Sequence, residues 1–180
     1  MLKVLFKTRK VRVFFGNILI TLALFTLIYI YLPYFLSFFP ATNYEPRTTN
    51  HYISIPKIHA LAPIIENVDP WSEKDYQEAL KKGVAKAKGF NNFYFAHSTL
   101  PPWAMTRTNT AFLRLGQLNT GDEILLVKDG VKTKYIVTEI LEVRPNDIKV
   151  VQDQNSGIIL QTCSPPGTAF KRLLVFAKSS

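Results

Sequence analysis

This sequence has very little cysteine, and its first 44 residues include no negatively charged residue. Its 180 residues include one cysteine, Cys163, and no acidic residue before Glu45. A single cysteine excludes an intramolecular disulfide, so any folded domain must be stabilised by its own hydrophobic core. Internal repeats and low-complexity tracts are also absent. The length suffices for one ordinary domain with an appendage.

The appendage is an uncharged apolar segment near the N-terminus. No charged residue lies between Val13 and Tyr44. As a helix, residues 13–32 rise about 30 Å, which matches the hydrocarbon core of a bilayer. Pro33 marks an end or a kink of this helix, and aromatic residues cluster around it as they do at membrane interfaces. We predict a transmembrane anchor over residues 13–39.

The charge that precedes this anchor predicts its orientation. Residues 1–12 hold five basic residues and no acid, which is the positive-inside pattern. We expect residues 1–12 in the cytoplasm and everything after residue 40 outside, as in a single-pass protein of the cell membrane. A cleaved signal peptide is the alternative, but its apolar region spans about 7–15 residues and precedes a small-residue cleavage site. The longer run and its bulky aromatic end favour an uncleaved anchor, and a buried core helix would need a larger protein around it.

The net charge of +9 is not a sign of nucleic-acid binding once it is divided along the chain. Five of the 22 basic residues belong to residues 1–12, which leaves 17 basic against 13 acidic residues and a net of +4 for the rest. The densest basic cluster, Lys81, Lys82, Lys86 and Lys88, is typical of a solvated helix face and loop. We expect the lipid bilayer, and no nucleic acid, as a partner.

After a polar, turn-rich linker over residues 40–50, the pattern changes to short strands. Helix signals are few, and the clearest helix begins at the capping residue Ser72. Asp129-Gly130, between two apolar runs, is the strongest hairpin signal in the chain. Many short strands with few helices predict an all-β domain over residues 51–180, folded as a closed or nearly closed β-barrel with short helices.

The single cysteine lies at the end of an apolar strand. Residues 157–162 precede it, turn residues follow it, and Arg172 adjoins the next apolar run at residues 173–176. If the two strands pair as an antiparallel hairpin, the thiol and the guanidinium stand at the same end of the sheet, about 5 Å apart in backbone terms. A thiol beside a permanent cation is biased towards the reactive thiolate. The pair is a candidate nucleophile and anion stabiliser, although a lone cysteine is more often a small buried hydrophobe.

A nucleophilic thiol needs a proton acceptor and donor, and the chain offers three histidines. His51 opens the first strand and His59 lies in a turn, where we expect both to be solvated. His97 follows the apolar strand at residues 93–96, which would deliver its side chain to the rim of a barrel. We predict His97 as the general acid/base, with a structural rim histidine as the alternative. One cysteine and three scattered histidines have no metal-ligand spacing, so we expect no metal and no cofactor.

Cys163, His97 and Arg172 together would support acyl transfer. A thiolate attacks an amide carbonyl, the acid/base group protonates the leaving amine, and the guanidinium or a neighbouring backbone amide stabilises the oxyanion. A second amine, or water, then resolves the thioester.

These residues stand in segments that resemble the sortases, the membrane-anchored cysteine transpeptidases of the bacterial surface. Ile-Leu-Gln-Thr-Cys at residues 159–163 is similar to their Thr-Leu-x-Thr-Cys motif, and residues 163–175 resemble the Cys-x-Pro-x-Gly-Thr stretch that runs to the family arginine. His97 falls where the family places its histidine. Two further segments are similar to the family, residues 53–58 and 115–124. The resemblance spans residues 51–178 in the right order.

The resemblance implies an eight-stranded β-barrel with Cys163 as nucleophile, His97 as acid/base and Arg172 as stabiliser of the oxyanion or substrate carbonyl. Thr162, beside the nucleophile, would support the oxyanion or the substrate. The implied reaction cleaves a Leu-Pro-x-Thr-Gly-like sorting signal after its threonine. The implied partners are surface proteins that bear this signal and an amine acceptor on a cell-wall precursor or a pilin.

Several positions depart from the family pattern. Ile159 replaces the usual threonine and Ala96 the glycine that commonly precedes the histidine, but neither change removes a reacting atom. The short connection over residues 143–158 disfavours the branch with a long helical insertion there. Asp-Pro-Trp at residues 69–71 is similar to the lid tripeptide of pilin-polymerising members, but it follows the second strand, so we interpret it as the start of a helix. The resemblance therefore favours a single-anchor, lidless enzyme similar to classes D or E.

Other cysteine enzymes fit the sequence less well. L,D-transpeptidases place Ser-His-Gly directly before their cysteine, where this chain has Gln161-Thr162. Papain-like enzymes place the cysteine before the histidine in chain order, the reverse of the order here. An envelope cysteine peptidase that only hydrolyses and a catalytically silent, membrane-anchored surface-binding barrel stay open as alternatives.

Overall fold

The computed structural model describes residues 9–36, 39, 50–147 and 157–180. The chain divides into two compact units, Met1–Leu36 and Ser37–Ser180. Helix α1, Arg9–Leu36, belongs to the first unit. Its stretch Lys10–Leu32 has a mean hydropathy of 2.3 and is long and apolar enough to cross a membrane. The helix runs past Pro33, where the sequence suggested an end or a kink, and continues for three residues to Leu36.

The second unit is a closed eight-stranded barrel, as the sequence predicted. Its strands are β1 Tyr52–Ile55, β2 Ala60–Val68, β3 Val84–Ala87, β4 Phe93–Phe95, β5 Glu123–Lys128, β6 Val131–Val143, β7 Ile158–Ser164 and β8 Lys171–Ser179. Around the barrel they follow the order β1-β2-β3-β4-β7-β8-β6-β5. The β2–β3 and β4–β7 pairs are parallel, and the other pairs are antiparallel. The short helices expected beside the barrel are also found, one α-helix and single turns of 3-10 helix.

Two layers of apolar side chains stabilise the barrel. Side chains on the inner face, such as Leu160 and Val175, form the interior cluster. Their neighbours in the chain, such as Ile159 and Leu174, point outwards and pack with residues of helix α2, Glu73–Lys82. Because successive residues of a strand face opposite sides, strands that are covered on both sides read as continuous apolar runs. This double burial explains why the sequence around the cysteine lacks polar alternation.

Local signals placed α2 and the β5–β6 hairpin correctly. The Ser72 side chain accepts a hydrogen bond from the Asp75 backbone N–H, and the helix ends at Gly83. Asp129 and Gly130 both have positive φ, 51° and 79°, as a two-residue hairpin turn between right-twisted strands requires.

One strand was not predicted from the sequence, and one prediction falls largely outside the described residues. Strand β3 was not predicted as a separate strand, because Val-Ala-Lys-Ala is too short and too weakly alternating to show a period. It pairs with β2 in parallel after the α2 crossover. The predicted short connection over residues 143–158 includes residues 148–156, which lie outside the described residues.

Candidate active site

Cys163 and Arg172 form a directly opposed pair between antiparallel strands. The register of β7 and β8 pairs Cys163 with Arg172, immediately beyond the pair Thr162–Leu173. Opposed residues of an antiparallel pair project from the same face with Cβ atoms about 5 Å apart. Both side chains are half-buried. The predicted hairpin, with thiol and guanidinium at the same end of the sheet, is therefore confirmed.

His97 reaches the same end of the sheet by way of strand β4. Strand β4 lies parallel to β7, with Phe95 opposite Gln161. The ladder continues one residue further, because the Ala96 N–H donates to the Gln161 carbonyl at 3.2 Å. His97 stands two residues after Phe95, and Cys163 stands two residues after Gln161. The parallel register therefore points His97, just beyond the end of β4, towards the end of β7 that carries Cys163, and paired strands lie about 4.8 Å apart. The three predicted residues thus come from the same end of neighbouring segments of the sheet.

Burial changes the pKa of His97. His97 is half-buried, and its burial lowers its pKa below the ordinary value of 6.5. Burial has this effect because removal from water disfavours the charged imidazolium more than the neutral ring. The ring is therefore mainly neutral at neutral pH, the form that accepts a proton.

The guanidinium of Arg172 is held by its own loop. Nη1 donates to the carbonyl oxygens of Ala169 and Lys171, each at 3.3 Å. The guanidinium carries three further N–H donors on Nε and Nη2 that a substrate carbonyl can engage. The loop bonds orient a cation that lines the neighbouring cavity.

Arg172 lines an open cavity of about 330 Å³. Gln161 and Arg172 contribute to it from β7 and β8, and Tyr76 and Glu73 from α2. Its apolar lining consists of Pro70, Trp71, Phe90, Phe93, Phe95 and Pro145. A cleft that combines apolar walls with several polar and charged groups can take a small ligand or a short peptide.

Tyr76 is a site residue that the sequence did not reveal. Its ring stacks on that of Phe95, with centroids 5.1 Å apart and an interplanar angle of 10°. Burial raises its pKa most, negative charge on Cys163 and Glu73 raises it further, and Arg172 lowers it; Tyr76 and Arg172 line the same cavity. Tyr76 and Leu80 share a helix face at an i, i+4 spacing, and this pattern indicates only a core-facing side.

Thr162 faces away from the thiol. It is 4% exposed and shares the inner parity of Leu160, and its hydroxyl donates to the Ala96 carbonyl at 2.9 Å. Alternation along β7 places its side chain on the opposite side of the strand from Cys163. The hydroxyl therefore tethers the backbone before His97. The predicted support of substrate or oxyanion by Thr162 stays a prediction.

The Asp-Pro-Trp tripeptide stands between β2 and α2 and borders the cavity. The Trp71 N–H donates to Asp69 Oδ1 at 2.9 Å, and α2 begins two residues later at Glu73. This agrees with the interpretation as the start of a helix. Pro70 and Trp71 also line the cavity, and Trp71 is 75% exposed there.

Comparisons with known proteins agree on one family. The sequence model of the sortase domain matches residues 53–180. Sortase D of Bacillus subtilis (strain 168) is 31% identical over 143 residues, which cover 76% of this chain and 67% of that protein. A lid mutant of sortase A from Corynebacterium diphtheriae is 29% identical, with a TM-score of 0.60 over 75% of this chain and 74% of its own. Sortase C from Clostridium perfringens, solved with the C-terminal cell wall sorting motif, is 26% identical, with a TM-score of 0.56 over 72% of this chain and 69% of its own.

The matched region begins in β1, runs to the C-terminus and includes His97, Cys163 and Arg172. It covers well over half of the chain. Sortases act on substrates that bear sorting signals and on amine acceptors. The chain therefore belongs to the sortase family, which implies cysteine transpeptidase activity.

Proposed function

We propose that this protein cleaves a Leu-Pro-x-Thr-Gly-like sorting signal through a thioester on Cys163 and transfers the signal-bearing protein to an amine at the cell surface. The observation that carries the proposal is the register of β4, β7 and β8. It supports the proposal because Cys163 is paired with Arg172, which lines the cavity, and the β4–β7 pairing runs towards His97 at the same end of the sheet.

The first half-reaction forms the acyl-enzyme. His97, neutral because burial lowers its pKa, takes the proton of the Cys163 thiol, and the sulfur attacks the threonine carbonyl carbon of the signal. Arg172 donates hydrogen bonds to the carbonyl oxygen as it gains negative charge. The C–N bond to the following glycine breaks, and the imidazolium of His97 returns its proton to the leaving amine. Cys163 then holds the substrate as a thioester.

The second half-reaction releases the product. The amine of the acceptor attacks the thioester carbonyl and gives a proton to His97, and the C–S bond breaks to release a new amide. The sulfur leaves as thiolate and regains a proton from the imidazolium. Water in place of the amine gives a free acid, which is the reaction of a peptidase that only hydrolyses.

The cavity suits the apolar part of such a signal. Three phenylalanines from β4 and the segment before it line one side, and Pro70, Trp71 and Pro145 line other parts. The leucine and proline of the signal are apolar, and their burial against aromatic side chains is favourable. The sortase C relative from Clostridium perfringens was solved with a cell wall sorting motif, which supports the same class of ligand here.

The surface location rests on helix α1. Its apolar stretch is long enough to span a bilayer, and the basic residues at its N-terminal side favour a cytoplasmic N-terminus. This orientation puts the barrel outside, where both cell-wall amines and anchored surface proteins occur.

A peptide assay with the full-length chain in detergent tests the proposed function. The protein is incubated with peptides of the Leu-Pro-x-Thr-Gly type and with a short peptide that has a free α-amine. Mass spectrometry then follows Cys163 and the products. We expect a thioester on Cys163 and an amide that joins the acyl part of the signal to the added amine, and Cys163→Ala removes both.

The products separate the alternatives. Free acid without amide, even at high amine concentration, overturns transpeptidation and leaves a hydrolysing peptidase. Neither product with any peptide, together with no adduct on Cys163, leaves the silent surface-binding barrel.

A further inference from the structure

Glu142 lies on β6 and links the two strands that carry the candidate catalytic pair. Its Oε1 accepts a hydrogen bond from the Ser164 hydroxyl at 2.5 Å, and its Oε2 accepts one from Lys171 Nζ at 2.8 Å. Ser164 directly follows Cys163, and Lys171 directly precedes Arg172. One carboxylate therefore binds both sequence neighbours of the pair.

The two bonds close the base of the β7–β8 loop. Ser164 and Lys171 are the last opposed residues before the loop, one step beyond Cys163 and Arg172. The loop begins with two prolines, which have no N–H to donate. Its described internal bonds both run from Thr168 to the Pro165 carbonyl. Glu142, which lies outside the hairpin, thus restrains the base of a loop that has few hydrogen bonds of its own among the described residues.

Glu142 acts from the far side of the sheet. It is opposite Leu173 on β8, and Leu173 is opposite Thr162 on β7. This row shares the parity of Ser164 and Lys171, whereas Cys163 and Arg172 project from the other face. The carboxylate is therefore no part of the reacting group. Its effect has to pass through the backbone that it holds.

Loss of the bond to Ser164 should cost more stability than loss of the bond to Lys171. Ser164 is 9% exposed, and a nearly buried hydroxyl that loses its partner pays the cost of desolvation. The Lys171 pair is open to water, with side chains 54% and 42% exposed, and exposed pairs contribute little. The Lys171 and Ser164 hydrogen bonds lower the pKa of Glu142, so the carboxylate stays ionised at neutral pH.

We propose that Glu142 is a positioning residue that holds Cys163 opposite Arg172 by clamping Ser164 and Lys171 from β6. The proposal rests on the proposed function for its effect on rate. Loss of the clamp leaves the apolar cavity intact but loosens the alignment of thiol and guanidinium. Substrate binding is then little changed, while the chemical step slows.

Kinetics of full-length variants in detergent test the clamp. We expect Glu142→Ala and Ser164→Ala to lower kcat by about tenfold to a hundredfold with KM changed less than about twofold. Lys171→Met has a small effect. Glu142→Gln keeps an oxygen that accepts from Ser164 and recovers most of kcat. The matched control is Glu139→Ala, which removes an exposed carboxylate from the same strand.

A double variant and hydrogen exchange separate positioning from general destabilisation. If Glu142 and Ser164 act through one bond, Glu142→Ala with Ser164→Ala is no slower than the slower single variant. Deuterium uptake by a peptide that covers residues 163–172 rises in Glu142→Ala and not in Glu139→Ala, with no rise across β1 and β5.

Three results decide the proposal. Unchanged exchange in Glu142→Ala overturns the clamp, and so does raised exchange with kcat equal to that of Glu139→Ala. Raised exchange throughout the barrel, with kcat lost in proportion to the folded fraction, assigns Glu142 a structural role only and also overturns it. If the unsubstituted protein processes no peptide, the proposed function fails, and the exchange comparison alone decides the clamp.

Discussion

At the scale of single residues, pairing across two strands accounts for the candidate chemistry better than any one side chain. Cys163 is a half-buried free cysteine, and a cysteine considered by itself is as consistent with packing as with catalysis. In the proposed mechanism, Arg172 opposite it supplies a cation and His97, just beyond the end of β4, supplies a proton acceptor. The predictions at this scale concern the last two residues.

Removal of the Arg172 guanidinium should slow acylation more than removal of an exposed positive charge elsewhere on β8. We expect Arg172→Ala to lower kcat by about 10²–10³-fold, because one developing oxyanion loses its donor. Lys178→Ala is the control, since it removes a positive charge from an exposed position of the same strand. Rates of thioester formation measured by quenched mass spectrometry make the comparison. Equal rates for the two variants would remove Arg172 from the mechanism.

The lowered pKa of His97 predicts two effects of acid. The acidic limb of the kcat/KM profile should have its midpoint below 6.5, because that is where the buried imidazole gains a proton. The unfolded chain binds this proton more readily than the folded chain, so the free energy of unfolding should fall as pH drops through 6.5 towards the folded-state pKa. Above 6.5 the group contributes nothing to the pH dependence.

Urea unfolding between pH 5 and pH 8 checks the second effect. His97→Asn should make the free energy of unfolding less dependent on pH over this range. Asp122, Asp129 and Glu142 also have lowered pKa values, but their losses of stability lie in the more acidic carboxylate range. A variant whose pH dependence equals that of the parent would contradict the assigned burial of His97.

At the scale of elements, β7 is the part of the barrel with the least freedom to change. It has a neighbour on each side, β4 and β8, and both of its faces are buried along most of its length. Its start is constrained by Gly157, which has a φ of 121°. A Cβ at this glycine would lie 2.2 Å from the Ala177 carbonyl oxygen of β8. Only glycine permits both the conformation and the close approach.

Gly157→Ala should therefore destabilise the barrel by roughly 2 to 4 kcal/mol, as the sum of backbone strain and steric displacement of β8. Gly121→Ala is the control, because Gly121 also has a positive φ, 95°, but nothing within 4 Å of its added Cβ. We expect the control to cost about 1 kcal/mol. Urea midpoints of the two variants measure the difference, and equal losses would mean that the approach to Ala177 is unimportant.

At the scale of the whole molecule, an apolar helix long enough to cross a membrane and a closed barrel that carries the candidate site form two separate compact units. The helix contributes length and apolarity, and the barrel contributes the three strands of the site. The single cysteine makes the orientation measurable, since only Cys163 can react with a thiol reagent.

Intact cells that express the protein should be labelled at Cys163 by a membrane-impermeant maleimide. The five basic residues among residues 1–12 favour the proposed orientation, with the N-terminus inside and the barrel outside, so labelling should not require permeabilisation. Cys163→Ala gives the background, and a permeant maleimide confirms that the thiol is reactive. Labelling that appears only after permeabilisation would overturn the proposed topology.

The sequence by itself determined the features that rest on neighbouring residues. Four features depend on short stretches of chain, whose periodicity and turn residues can be read directly: the apolar helix α1, the helix capped by Ser72, the Asp129-Gly130 turn and the Cys163–Arg172 hairpin. The barrel class followed from the number and shortness of the strands.

Only the tertiary structure decided which distant segments meet. The parallel pairing of β4 with β7 joins residues that lie 66 apart in the chain. Thr162 and Glu142 project from the same face of the sheet, where Thr162 bonds the Ala96 carbonyl and Glu142 bonds Ser164 at the base of the β7–β8 loop. Tyr76, on α2, stacks on Phe95. Such contacts follow from the order and register of strands around a closed sheet, and no local pattern of residues records that order.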